Sequence, residues 1–286
     1  WIEKFAMVPK HPVPQILNYM GYDIFVPGNH EFNFGMPTLS NILRDMKLNK
    51  LTANLYYNEN AENDTNFSKN KRRYLDASVI IERDGIKIGV IGLSTPMSAQ
   101  FEEDTGYLKD FYFVSPINET RRQIEKLKSE GANAIVVVAH MGIENENNIP
   151  ETGVRDLANA VPEIDVIIAG HMHQNVPKKI INGVLITEPH RYGTFVSEVD
   201  LKFEIENGKI SLISKDSTTV PVKDEEPDPE IEKIYKPFHN RLFKIANEKV
   251  GETLNDMVPK GKFHGVSAAF AKDTGLSSFI TDVELY

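Results

Sequence analysis

Residues 26 to 35 read Val26-Pro27-Gly28-Asn29-His30-Glu31-Phe32-Asn33-Phe34-Gly35 and come directly after the apolar pair Ile24-Phe25. A short β-branched run that turns on Pro-Gly is ordinary strand-end chemistry. Setting Asn, His and Glu side by side at that turn is not, because a turn needs only one residue able to cap the next element. One reading makes Asn29 a helix N-cap on a surface turn. The other makes Asn29 and His30 the working end of a strand. The triplet leaves both open, and the remainder of the chain decides.

Two more apolar runs end in the same manner. Ala134–Ala139 runs into His140-Met141-Gly142, and Ile164–Ala169 runs into Gly170-His171-Met172-His173. Four of the eight histidines therefore sit at three strand ends. In an open α/β sheet ligands bind outside the carboxyl ends of the strands, so such side chains converge on one crevice. Any one strand-end histidine is explained by a hydrogen bond in its own turn. Three strand ends of one design are not. Neutral imidazole with a carboxamide oxygen suits Mn, Zn, Fe or Co better than Ca or Mg. The pair His171 and His173 adds a common metal-binding spacing, since alternate residues of an extended segment point the same way.

The strands alternate with helical patterns. Asp23–Val26, Ile86–Leu93, Ala134–Ala139 and Ile164–Ala169 are the clearest strands. Ser115-Pro116 opens a helix that Gly131 closes. Alternation of this kind predicts a layered α/β domain. After Thr187 the runs Phe195–Phe203 and Lys209–Ile213 flank Asn207-Gly208 as a hairpin. The polar, Asn-rich stretch 57–73 reads as an exposed loop, with its Lys69–Arg73 cluster as solvated surface. Ile231–Lys249 has helical spacing beyond an acidic, Pro-rich boundary at 222–229.

Bulk properties narrow the chemistry. At 286 residues, with 41% hydrophobic and 26% charged side chains, the composition is that of a globular chain with a sizeable core. No apolar run is long enough to be a transmembrane segment. A net charge of −9 argues against a broad surface for extended nucleic acid. A small phosphorylated substrate stays open, because bound cations reverse the local sign. With no Cys there are no disulfides, thiolate sites or Cys nucleophiles. No His-Glu-x-x-His occurs, which sets aside single-metal proteases of that type.

Gly28-Asn29-His30-Glu31, then Ala139-His140-Met141-Gly142, then Gly170-His171-Met172-His173 resembles the calcineurin-like metallophosphoesterases. GNHEFNFG, the ENENN stretch after AHMG, IDVIIAGHMHQNVP and the terminal DTGLSSFITDVELY are similar to the 5′-nucleotidase-like branch, and within it to the 2′,3′-cyclic-nucleotide 2′-phosphodiesterase/3′-nucleotidase family. The resemblance implies a layered α-β-β-α metallophosphoesterase sandwich with mixed sheets. It implies two divalent metal ions (Mn, Zn, Fe or Co), with Asn29, His140 and His171 as ligands of the second and His173 of the first. It gives His30 to the phosphoryl group and the leaving oxygen, with Asn33 beside it where 5′-nucleotidases carry Asp. His190 and Arg191 would line the rim as substrate contacts.

The implied activity is metal-dependent hydrolysis of nucleotides: a 2′,3′-cyclic nucleotide opens to a 3′-nucleotide, which then loses phosphate. A 5′-nucleotidase or nucleotide-sugar hydrolase is the alternative in the same class. A non-catalytic remnant acting as a binding module is the alternative outside it. The family's Asp-x-His and Gly-Asp blocks are not found in this sequence, so the first strand block is expected to be missing and this chain alone to bind metal weakly. Residues 1–222 are expected to form the metallophosphoesterase domain. Residues 223–286 are expected to be a helical segment leading to a C-terminal nucleotide-binding domain of the parent chain. The resemblance places such enzymes outside the cell, on the wall or in the periplasm.

Overall fold

The computed structural model describes residues 11–58, 72–223, 225–249, 251–254, 256–258, 260–267 and 274–284. The chain divides into two compact units, Trp1–Ile234 and Tyr235–Tyr286. The first is a mixed α/β structure built on a main sheet of six strands. These are β4 (Ser78–Arg83), β5 (Ile86–Ser94), β7 (Ala134–His140), β8 (Val166–Ile168), β9 (Asn175–Ile181) and β10 (Val184–Pro189). They lie in the order β4-β5-β7-β8-β10-β9. Strands β5, β7, β8 and β10 run parallel, and β4 and β9 close the two edges antiparallel. The carboxyl ends of the four parallel strands therefore face one side of the molecule.

Both edges are made by the same local chemistry. Asp84-Gly85 joins β4 to β5 and Asn182-Gly183 joins β9 to β10, every residue with positive φ (52°, 79°, 48° and 81°). Asp and Asn tolerate that conformation and Gly prefers it, which gives the tight turns that match strand twist. Asn207-Gly208 (φ 51° and 78°) does the same between β11 (Phe195–Glu206) and β12 (Lys209–Pro221). That hairpin is longer than the sequence pattern suggested, because its far end stays alternating while losing hydrophobicity.

Outside the main sheet, β1 (Ile24–Phe25) pairs parallel with β2 (Asn49–Lys50), and β3 (Leu55–Tyr57) pairs antiparallel with β6 (Phe111–Phe113). The expected strand 23–26 shrinks to two residues because Pro27 has no N–H to continue a ladder. Two buried clusters hold these parts. One joins Ile91, Leu93, Val137, Ile167 and Ile186 of the sheet to Leu127 and Leu157 of the covering helices. The other packs Phe32, Leu39, Leu43 and Leu55 under the opening segment.

The helix Pro116–Ser129 starts where Ser115 accepts the Asn118 N–H at 3.2 Å and Pro116 occupies the first position. Its buried side chains Thr120, Gln123, Ile124 and Leu127 recur at helical spacing against the sheet. Glu119, also buried, takes ion pairs from Arg73 (2.6 Å) and Arg122 (2.8 Å). Arg73 is thus a structural anchor rather than solvated surface, and Arg72 lies over the Tyr57 ring at 4.0 Å. Lys69–Lys71 lie outside the described residues.

In the second unit the rest of the helix Pro229–Ala246 precedes a two-residue hairpin, Lys262–Phe263 with Val266–Ser267, and a helix Gly275–Glu284. No described helix is long and apolar enough to cross a membrane.

Burial of Ile124 and Leu127 contributes about 2 kcal/mol each, against about 1 kcal/mol for a helix cap. Ser115→Ala is therefore expected to weaken the fold without abolishing it. Ser115 also donates to Glu151 at 2.5 Å, so the loss should be about 1–2 kcal/mol by urea unfolding. A change below about 0.3 kcal/mol would show that the cap does not hold the helix end.

Candidate functional site

Three strand-end turns meet. The Ser94 hydroxyl, at the end of β5, donates to the Pro27 carbonyl at 2.7 Å and fixes where the Pro27-Gly28 turn lies against the sheet. Asn29 then opens a single 3-10 turn, Asn29–Phe32, whose start is capped by Glu31 accepting the Gly28 N–H at 2.7 Å. Gly28 is required by contact rather than by φ. A Cβ there would stand 2.6 Å from the His140 ring. At Gly142 the close neighbour is the exposed Met172 side chain, whose Cγ would stand 2.2 Å from an added Cβ and would have to move aside.

Asn29 is buried, and its Oδ1 stands 3.0 Å from His140 Nε2 and 3.1 Å from His171 Nδ1. The two rings are tilted at 62° with centroids 5.2 Å apart. Among the described residues no three His, Asp or Glu side chains form a metal-sized cluster. The set that does converge has a carboxamide oxygen as its third member.

These atoms fit a divalent cation. Ligands about 2.1 Å from an ion at right angles lie about 3.0 Å from one another, which is the spacing found here. His171 adds a second argument. Its Nε2 faces Glu146 Oε2 at 3.0 Å, a partly buried contact. An ionised carboxylate only accepts, so it holds the proton on Nε2 and leaves the Nδ1 lone pair turned toward the Asn29 oxygen. In the neutral ring two lone pairs then face one another, a contact that either a cation between them or a hydrogen on Nδ1 would satisfy. The Glu146 contact is also the outer support that a metal-bound imidazole receives from a carboxylate.

His140 is held neutral, its pKa lowered to about 4 first by burial and then by the neighbouring imidazoles of His171, His30 and His173. A neutral ring is what a cation needs from it. His30 and His173 thus stand close enough to act on His140, but both are exposed. His173 has φ 57° and His171 φ 76°, a region that non-glycine residues rarely occupy and that costs about 1–3 kcal/mol each. Gly170 N–H donates to the Met141 carbonyl at 3.2 Å, which ties this turn to the one after His140.

His30 Nδ1 lies 2.7 Å from Asn33 Oδ1. Asn33 Nδ2 in turn donates to the buried Glu102 at 2.5 Å, and Thr105 Oγ1 donates to the other Glu102 oxygen at 2.7 Å. His190 and Arg191 lie in the turn after β10. His190 Nδ1 is 2.9 Å from Thr194 Oγ1, and Arg191 lies over the Tyr192 ring at 4.9 Å. Neither has a described contact with Asn29, His140 or His171.

The residues matched by the calcineurin-like phosphoesterase profile are 1–175, which contain every one of these strand-end histidines. The chain belongs to the calcineurin-like phosphoesterase family. Enzymes of this family use divalent metal ions. Trifunctional nucleotide phosphoesterase protein YfkN of Bacillus subtilis is 30% identical over 215 residues, 69% of this chain and 14% of that protein. Endonuclease YhcR of the same organism is 31% identical over 258 residues, 88% of this chain and 21% of that protein. The 2′,3′-cyclic-nucleotide 2′-phosphodiesterase/3′-nucleotidase of Salmonella typhimurium is 26% identical over 86% of this chain and 41% of its own length. This chain spans less than half the length of these curated relatives. The crystal structure of YfkN has the same fold, with a TM-score of 0.72 at 23% identity over 84% of this chain and 76% of that one.

Three neighbours of the site escape a reading of the sequence. Glu146 lies in the ENENN stretch after AHMG, but nothing in spacing says it reaches His171. Glu102 is one of several acidic residues in a polar turn and carries no local signal. A third, Glu188 at the end of β10, is fully buried. It accepts the Gln174 N–H at 2.9 Å, one residue past His173, while its Oε2 has no partner among the described residues.

Burial pushes the Glu188 carboxyl up to about 7, against a partial offset from the Gln174 N–H. A folded pKa above the unfolded value of 4.5 means the native chain binds the extra proton between those values. Stability then falls as pH rises through that window. Glu188→Gln keeps the acceptor and removes the titration. Between about pH 5 and about pH 7.5 the parent should lose about 2 kcal/mol more than the variant in urea unfolding. Equal losses would mean that Glu188 is ionised throughout.

Proposed function

We propose that this chain carries the site of a metal-dependent nucleotide phosphoesterase that opens 2′,3′-cyclic nucleotides to 3′-nucleotides and then releases phosphate. The observation that carries this reading is His30, exposed beside the Asn29–His140–His171 group with its ring bound to Asn33 at 2.7 Å. Kinship with nucleotide phosphoesterases, one of them named for both of these steps, supports it.

In this reading Asn29 Oδ1, His140 Nε2 and His171 Nδ1 hold one divalent ion, and His173 contributes to a second. Bound there, such ions supply Lewis acidity, polarising water and phosphoryl oxygens. The protein does the rest. Neutral His140 and the Glu146-oriented His171 keep the donor atoms in place. His30, with its Nδ1 hydrogen on Asn33, presents Nε2 to the phosphoryl group, takes up a proton there from solvent and gives it to the leaving 2′-oxygen as its bond to phosphorus breaks. Water supplies its hydroxyl to phosphorus and releases its proton to solvent, so that the net change is the addition of one water across the bond. His190 and Arg191 contact the substrate from the rim. The first-metal ligands beyond His173, the base-binding residues and an exported location are assigned to the parent protein, in line with the family resemblance.

A second reading has support of its own: the relative named an endonuclease is 31% identical over 88% of this chain. The net charge of −9 favours a small nucleotide over a polymer.

Hydrolysis of 2′,3′-cyclic AMP, a 5′-nucleotide and single-stranded DNA with added Mn²⁺ separates these readings. Turnover of the cyclic substrate is expected to exceed the other two, to disappear with EDTA, and to fall by about 10²-fold in His30→Ala. Turnover of DNA above that of the cyclic nucleotide favours the endonuclease reading. Inactivity on all three, with or without an upstream extension of the chain, favours a binding module. In calorimetry with Mn²⁺, His171→Ala should weaken binding by at least about tenfold, and unchanged affinity would remove His171 from the ligand set.

A further inference from the structure

The imidazole of His30 does not meet a carboxylate directly. It meets the amide of Asn33, and the amide meets a carboxylate. We propose that Glu102 is a positioning residue: by taking the Asn33 Nδ2–H it turns the Asn33 oxygen toward His30 and fixes the proton of His30 on Nδ1. The inference rests on the reading of His30 as the group that faces the leaving oxygen.

The geometry leaves little choice. An amide has one end that only donates and one that only accepts, and an ionised carboxylate only accepts. Glu102 is 2% exposed, and among the described residues no cation pairs with it. Its Oε1 is 2.5 Å from Asn33 Nδ2, so the donating end of the amide faces Glu102. The accepting end, Oδ1, then faces His30 Nδ1 at 2.7 Å, and that nitrogen must carry the hydrogen. Nε2 becomes the nitrogen left free to take up and release a proton. Thr105 completes the arrangement by donating to Glu102 Oε2 at 2.7 Å, which keeps the carboxylate from rotating.

Without Glu102, the Asn33 amide is free to turn over. Its Nδ2–H would then face His30 Nδ1, the ring would carry its hydrogen on Nε2, and the wrong nitrogen would hold the lone pair. Neutral Asn33 is therefore sufficient beside His30 because a buried carboxyl group one hydrogen bond further back orders it. The segment that supplies Glu102, after the helix Ser98–Phe101, is 69 residues from Asn33 in sequence.

The test exchanges the two groups. The parent, Glu102→Gln, Asn33→Asp and the double variant Asn33→Asp/Glu102→Gln are labelled with ¹⁵N. The tautomer of His30, assigned by its loss in His30→Gln, is read from the ring nitrogen shifts without metal. The parent is expected to be in the Nδ1–H form, and Glu102→Gln to shift substantially toward Nε2–H. The double variant should return to Nδ1–H, because the carboxylate introduced beside His30 accepts from the ring while the amide introduced behind it donates to that carboxylate. Asn33→Asp alone sets two carboxylates against one another and should be the least stable of the four.

In turnover, Glu102→Gln should lose about tenfold in kcat with little change in KM, a fraction of the cost of losing proton transfer outright, and the double variant should recover most of it. A folded Glu102→Gln chain that stays in the Nδ1–H form overturns the proposal. If that single variant does not fold, a folded double variant in the Nε2–H form overturns it, and one in the Nδ1–H form supports it. Because the tautomer is read without substrate, inactivity on the three phosphoesters, with and without the upstream extension, would overturn the proposed function and leave this test intact.

Discussion

One carboxamide oxygen, that of Asn29, is shared between His140 and His171, which lie 111 and 142 residues away in sequence. It closes the contact between the opening Pro-Gly turn and two parallel strands of the main sheet, and the His140 ring so held leaves no room for a Cβ at Gly28. Nearly every other feature of the site serves this convergence. Ser94 fixes the turn, Gly28 and Gly142 permit close approach, and strained φ values at His171 and His173 aim the rings. Strain of about 1–3 kcal/mol at each of two nearby turn positions persists only where packing and hydrogen bonds determine the backbone. The buried strands behind the turn provide that determination.

Around this centre, carboxylates act at one remove. Glu146 faces the far nitrogen of His171, Glu188 holds the backbone just beyond His173, and Glu102 holds the amide that holds His30. An acidic chain thus places carboxyl groups behind its imidazoles. The arrangement keeps donor atoms oriented without putting a competing acceptor in the crevice, where a phosphoryl group would be repelled.

The three tight turns Asp84-Gly85, Asn182-Gly183 and Asn207-Gly208 carry the same local chemistry, yet only the last stands out between two long alternating runs. The first two close the edges of the main sheet, where each joins a largely buried strand, β5 or β10, to a more exposed edge strand, β4 or β9, so no single alternating pattern runs through the turn. Glu102 and Glu146 have no local signal, because a side chain's partner across 69 or 25 residues depends on how loops cross the sheet.

The strand-end histidines, the alternation that makes an α/β fold, the capped helix after Ser115 and the phosphoesterase family are all legible in the order of residues alone. These are local patterns, written within a few residues and read by the backbone directly. Only the folded chain makes Arg73 an anchor for buried Glu119, sets Glu146, Glu188 and Glu102 behind the site, and gives Asn33 a fixed face. Each of these depends on contacts between segments far apart in the chain. Periodicity says which face of an element is buried, but packing alone says which charge lies behind it.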